Sequence, residues 1–235
     1  MNLSSRLLAA AAFARSGRFA ADIGTDHAFL PIYLVSQGVS RGAVASDIHR
    51  GPIERARANI SAAGLSDRIT TVLTDGLSGL GPYAPEDIFI LGMGGELIAR
   101  ILAASDLPRR PGVRLILQPM THAADLRAAL CASGFATVGE TLVRDDLADP
   151  HGGERSRIYQ VLCAEYDGVV RSLSPVELAV GQQNIARHDA LTAAYAGYLC
   201  SVYRTRAEGL ASAGKCASAE LEMIRALEAV IHDCH

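Results

Sequence analysis

Asp22, Asp26 and His27 fall within six positions, around Gly24, in the run Phe19-Ala20-Ala21-Asp22-Ile23-Gly24-Thr25-Asp26-His27. Two more acids close apolar runs: Asp47, followed by Ile48, and Asp75, followed by Gly76. A fourth run ends in Gly92-Met93-Gly94-Gly95 and a fifth in Gln118-Pro119. Carboxylates so placed accept hydrogen bonds. One lying about 20 residues beyond a glycine corner suits ribose hydroxyls, and one after the next strand suits an adenine amino group. A glycine at the first corner lets backbone approach a ligand closely. A dinucleotide pyrophosphate would need G-x-G-x-x-G at a helix N-terminus; here Gly24 stands alone, and Asp26 would repel a phosphate. The inventory suits a nucleoside cofactor carrying positive charge, and S-adenosylmethionine, with its ammonium and sulfonium groups, qualifies. Singly, each residue has a plainer use: a strand-end Asp can cap a helix, the glycine run can be a tight turn, and His27 can be structural. Acids at three successive strand ends carry the argument.

Those groups need strands that deliver them to one edge. The apolar pattern predicts a helix over 1–18, a buried strand over 19–24, a helix over 29–37 and a strand over 42–47. A helix over 52–63 follows, with Pro52 near its start and Gly64 just past its end, then a strand over 69–73. Strands over 87–91 and 113–117 alternate with helices over 96–104 and 123–133. Two consecutive strands, 135–143 and 157–164, close the series, and the polar segment 144–156 between them, with His151, Gly152 and Gly153, predicts a mobile loop. Alternation argues for a parallel sheet with helices on both faces, and near-continuous apolar strands agree with burial on both sides. The closing pair predicts an antiparallel edge. The expected fold is therefore α/β, a Rossmann-like, doubly wound sheet of the class I methyltransferase type.

From Ser174 onward apolar residues recur only at helical spacing. One stripe is Leu191, Ala194, Tyr195, Tyr198 and Val202; another is Leu221, Ile224, Leu227 and Ile231. They predict a coiled-coil-like α-helical hairpin, broken near Gly209, Ala213 and Gly214. The expected division is a cofactor-binding domain over 1–168 and a C-terminal helical domain over 169–235.

A net charge of −3, with Lys215 the single lysine, weakens the case for tight non-specific nucleic-acid binding and leaves room only for a local basic face. Five cysteines without a CxxC pair or a Cys/His cluster indicate neither a disulfide framework nor a metal site. No apolar run approaches the roughly 20 residues of a membrane span. The alanine-rich stretch 7–14 fits an amphipathic helix better than a signal peptide. A cytoplasmic protein is expected, with no metal and no membrane partner, and with the monomer as the favoured state.

The run Ala21-Asp22-Ile23-Gly24-Thr25-Asp26-His27-Ala28-Phe29-Leu30-Pro31 resembles the opening motif of the bacterial tRNA (adenine-N1)-methyltransferases that modify position 22. Gly51-Pro52, Asp75-Gly76-Leu77, Gly92-Met93-Gly94-Gly95-Glu96-Leu97-Ile98, Leu115-Ile116-Leu117-Gln118-Pro119 and Ile158-Tyr159-Gln160-Val161-Leu162 match that family in order. The resemblance covers roughly residues 2–166, and the family also carries a C-terminal helical domain. It implies S-adenosylmethionine as cofactor, held by Asp22, Gly24, Asp47, Ile48, Asp75, Gly76, Gly92, Met93 and Gly94, and tRNA as partner. It places Asp26 and His27 beside the target adenine. Three stretches depart from the family pattern. Asp47 stands for the usual Glu, Val72-Leu73-Thr74-Asp75-Gly76 lacks the family's arginine and first glycine, and Met120 replaces an Asn after Gln118-Pro119. These bear on the substrate more than on the cofactor.

The activity so implied is methyl transfer to adenine N1 in tRNA. N1 lies on the Watson–Crick edge, so the base must leave the stack. N1 has a free lone pair, so alignment with the methyl group and sulfur is the main task. Asp26 is expected to accept from the adenine amino group and to stabilise charge developing on the ring, with His27 orienting Asp26 or touching the base. Arg6, Arg15, Arg50, Arg55 and Arg57, with the hairpin, are expected to contact phosphates. Two other readings stay open: a methyltransferase for a protein or small molecule, to which the near-neutral charge and Met120 point, and a non-catalytic protein that binds cofactor or RNA.

Overall fold

A computed structural model describes residues 3–148 and 154–234. Seven strands form one sheet: β1 (Arg18–Ile23), β2 (Ser40–Asp47), β3 (Ile69–Leu73), β4 (Asp87–Gly94), β5 (Arg114–Thr121), β6 (Phe135–Ala148) and β7 (Glu154–Tyr166). Their order is β3-β2-β1-β4-β5-β7-β6, with β1 to β5 parallel and β7 antiparallel to both its neighbours. Flanking helices are α1 (Ser5–Ala11), α2 (Phe29–Ser36), α3 (Arg50–Ala62), α4 (Gly95–Ala103) and α5 (Ala123–Ala132).

Side chains alternate across a strand, and each central strand feeds two apolar layers. In β4, Ile88 and Ile90 pack with Ile98 and Leu102 of α4 and Leu126 of α5, while Phe89 packs on the opposite face with Ala10 of α1, Leu34 of α2 and Ile60 of α3. All three β4 side chains are fully buried. β1 and β4 are neighbours without being consecutive, so the chain winds away from this pair in both directions. Ligands bind beyond the carboxyl ends of such a pair, and Gly24 and Gly92 lie there.

Two expectations about this part of the chain need correction. Helix α1 spans seven residues rather than eighteen. Ser4 caps its start, and beyond residue 12 the chain turns so that Arg15 reaches Asp87. The Asp87 side chain is fully buried and accepts two hydrogen bonds from Arg15, from the backbone N–H (2.7 Å) and Nε (2.7 Å), with Nη2 2.6 Å away in the ion pair. A buried carboxylate needs a cation, which outweighs continued helix. The antiparallel edge expected from the closing pair is present: β7 lies between β5 and β6 and runs antiparallel to both. Secondly, 144–148 and 154–157 are paired strand rather than loop, from Arg144↔Ile158 to Ala148↔Glu154. Backbone pairing persists there despite polar side chains. His151, Gly152 and Gly153 lie outside the described residues.

The C-terminal segment holds four helices: α6 (Pro175–Val180), α7 (Gln182–Arg187), α8 (Ala190–Ser212) and α9 (Ser218–Asp233). Ser174 and Glu177 form a capping box on α6. The two long helices are antiparallel, with His188, just before α8, beside the carbonyl of Asp233 at the end of α9 (3.1 Å). Of the expected stripes, Leu227 is buried in the seam with Tyr195 and Ile231 packed against it, while Tyr198 and Leu221 fall outside. Tyr198 and Leu221 are 60% and 51% exposed, and the buried contact is made by Ala196 and Cys200 against Met223, Leu227 and Val230. Small residues on α8 let α9 lie close; hydrophobicity alone had favoured the tyrosines.

This unit is fastened to the sheet by a buried polar network. Arg127 of α5 donates to Glu140 Oε2 of β6 (Nε 3.1 Å, Nη2 2.8 Å), to the Leu178 carbonyl of α6 (2.8 Å) and to Gln160 of β7. Gln160 in turn donates to the Tyr195 hydroxyl of α8 (2.6 Å), and Glu140 Oε1 accepts the Gln183 N–H (2.7 Å). Gly181 has φ +98°, and a Cβ there would stand 2.4 Å from the Glu140 carboxylate.

Candidate active site

The corner after β1 is built around Asp22 and Gly24. Ser46 at the end of β2 accepts both the Gly24 and the Thr25 N–H through its carbonyl, each at 2.8 Å, which ties the corner to the neighbouring strand. Gly24 has φ +76°, and a Cβ on it would lie 2.1 Å from Met93 Cε. The positive φ favours glycine at position 24, and the flexible end of Met93 fills the space a side chain would take. Burial pushes the Asp22 carboxyl up to about 6, against a hydrogen bond from Thr25, and the Asp47 charge raises it further. Among the described residues no arginine or lysine pairs with Asp22 or Asp47. Asp22 and Asp47, coupled through charge and without an arginine or lysine partner, fit a cationic ligand.

Asp47 closes β2 and is half-buried; its Oδ1 accepts the His49 N–H at 2.7 Å and lies 3.2 Å from His49 Nδ1. Ile48 beside it is 56% exposed, an unshielded apolar side chain at the same edge. Asp75 is exposed after β3, and Gly76, at φ +53°, backs onto Ile101 of α4, where a Cβ would meet Cγ2 at 3.2 Å. β4 runs three residues beyond expectation, through Met93 and Gly94, with its register against β5 shifting on both sides of Met93. Gly92, at φ +77°, donates its N–H to the buried Gln118 Oε1 (3.1 Å). Arg6 Nη1 donates to the same oxygen at 2.6 Å, while its guanidinium lies over Tyr159. Met120, 39% exposed, places its sulfur 3.6 Å from Gln118 Nε2. Gly94 precedes α4 as its N-cap.

Asp26 and His27 stand at the outer rim of the first corner. The Asp26 side chain is 60% exposed and that of His27 41%, with His27 Nε2 3.2 Å from Asp26 Oδ2. The imidazole stacks on Phe29, centroids 5.0 Å apart and 13° between planes. Arg55 of α3 donates Nε (3.1 Å) and Nη2 to Asp26 Oδ1 and holds that carboxyl below its usual range. Asn59 of α3 donates to the His27 carbonyl at 2.9 Å.

The structure thus brings Asp22, Gly24, Asp47, Gly92, Met93 and Gly94 to the carboxyl edge of β1, β2 and β4, with Asp75 and Gly76 just beyond β3. Of the arginines expected to face phosphates, Arg15 is committed to Asp87 at the opposite end of the sheet, Arg55 to Asp26 and Arg6 to Gln118. Sequence reasoning missed Thr25, the Ser46 carbonyl and Asn59. The i,i+4 spacing of Arg55 and Asn59 was a usable signal for a shared face of α3; the backbone acceptor left none.

A doubly wound sheet with its antiparallel strand next to the last, and acids at three strand ends, defines a class I methyltransferase. Residues 3–149 match the family model of a methyltransferase domain. The chain is 36% identical over 176 residues to the tRNA (adenine(22)-N(1))-methyltransferase of Bacillus subtilis, covering 72% of this chain and 70% of that protein. Among solved structures, that of the B. subtilis m1A22 tRNA methyltransferase is 29% identical with a TM-score of 0.78, over 99% of this chain and 97% of the other. Streptococcus pneumoniae Sp1610, in complex with S-adenosyl-L-methionine, is 32% identical with a TM-score of 0.78, over 98% of this chain and all of the other. The chain belongs to the tRNA (adenine(22)-N(1))-methyltransferase family.

Proposed function

We propose that this protein uses S-adenosylmethionine to methylate N1 of an adenine in tRNA, at position 22. The 36% identity over 176 residues to a tRNA methyltransferase carries the reading. When bound, the cofactor supplies an electrophilic methyl on sulfonium, which the N1 lone pair attacks as the carbon–sulfur bond breaks.

The chain's own residues then have separate tasks. Asp22, buried and short of a cation, would take the cofactor's ammonium group. Asp47 would accept from the ribose hydroxyls and Asp75 from the adenine amino group, with Ile48 covering the adenine face. Gly24, Gly76, Gly92, Met93 and Gly94 would form the backbone floor. Asp26 would accept from the amino group of the target adenine and counter the positive charge that N1 gains, and His27 would steady it. We divide the chain at 168/169, because α6, α8 and α9 gather an apolar cluster of their own. We take the working form to be a cytoplasmic monomer, since every strand-end group named comes from one chain.

A tritium-labelled methyl assay with bulk tRNA, a protein extract and no acceptor tests the reading. Label is expected in tRNA, mapping to N1-methyladenosine; label in protein, or none with cofactor binding intact, would overturn it.

A further inference from the structure

Helix α3 reaches back twice to the loop after β1, and both contacts come from one face, because Arg55 and Asn59 are four residues apart. Asn59 fixes the loop backbone at the His27 carbonyl (2.9 Å). Arg55 gives two donors to a single oxygen, Asp26 Oδ1, while His27 Nε2 sits 3.2 Å from Oδ2.

We infer that Arg55 is a positioning residue for the methyl acceptor: it clamps Oδ1 of Asp26 and so leaves Oδ2 as the oxygen that an acceptor's amino group meets. The inference rests on the role proposed for Asp26. A planar guanidinium bonded twice through its edge sets a carboxylate's orientation as the mobile point charge of a lysine does not. The charged groups facing Asp26 are Arg55 from α3 and His27 from its own loop. Of the two, His27 holds the oxygen that the acceptor needs, and its stacking on Phe29 keeps the ring within reach once Oδ2 is taken. Arg55 is thereby withdrawn from the set of free phosphate contacts.

Four variants decide the matter: R55A, R55K, D26A and the double variant R55A/D26A, each measured for kcat, KM for tRNA, cofactor affinity and the salt dependence of tRNA binding. R55A is expected to lower kcat by about 10- to 100-fold, the scale of a misplacement near 1 Å, while cofactor affinity and salt slope stay unchanged. R55K should recover part of the loss, and the double variant should be no slower than D26A alone, because the two residues act as one unit. A salt slope shallower by about one with kcat unchanged would make Arg55 a phosphate contact and overturn the inference. So would a wild-type kcat in R55A beside a disabled D26A, an outcome that leaves the role of Asp26 standing. Wild-type kcat in D26A would overturn that role instead.

Discussion

Two arginine–carboxylate pairs in this molecule have similar donor geometry and opposite surroundings. Arg127 and Glu140 are each 1% exposed and are ringed by Gln160, the Leu178 carbonyl and the Gln183 N–H. Arg55 and Asp26 are 50% and 60% exposed. Dry, such a pair anchors the network that ties α5 and β6 to the C-terminal helices, because neither charge can be left alone. Wet, it contributes little to stability, and its use is to set the direction of one oxygen. The difference teaches that the same chemistry gives anchorage or aim according to access of water.

The largest effect that could break this comparison lies in the buried pair. Arg127→Ala leaves Glu140 charged and unpaired, and a loss of about 3–5 kcal/mol in unfolding free energy is expected from denaturant titration; a loss under about 1 kcal/mol would show that the C-terminal helices do not depend on the network. Next is Asp26→Ala, expected to slow methylation about 10²- to 10³-fold, some 3–4 kcal/mol in barrier, with cofactor affinity intact by calorimetry. A third test turns on pH. With its carboxyl near 6 in the free protein, Asp22 binds a cation in its ionised form. Cofactor affinity should therefore fall, by at most about tenfold per unit, as pH drops below 6 and level off above 7. Asp22→Asn should bind weakly and lose that slope. In the free protein the sign is reversed: a raised carboxyl value removes stability as pH climbs from about 4 to 6. The smallest effect sharpens the contrast. Arg55→Ala should change unfolding free energy by less than about 1 kcal/mol, and a change above 2 would place that pair with the buried one.

The parallel core was legible because its strands are written in apolar runs that close on acids or glycines. The interval from Phe19 to Gly24 and that from Ile69 to Leu73 match β1 and β3 to within a residue. Features that depend on remote partners were not legible. Nothing local announces that Asp87 will draw Arg15 out of a helix, or that β7 will slide between β5 and β6. In the seam of α8 and α9, Leu227 was legible from its stripe, but Tyr198 was placed there because tyrosines weigh more than alanines on a hydrophobic scale, whereas close helices select small residues. At the site, residue types marked the strand ends, but side-chain commitments such as Arg6 to Gln118 required coordinates.

One contact at the meeting of β1 and β4 bears on how the site tolerates change. The Met93 methyl rests where Gly24 lacks a side chain, and methionine is unbranched, with three rotatable bonds and a soft sulfur. Position 93 is thereby suited to yielding rather than to fitting. A β-branched or aromatic residue there would collide with the corner or jam it, so the evolutionary freedom of position 93 is set by compliance, and that of position 24 by the absence of any side chain at all.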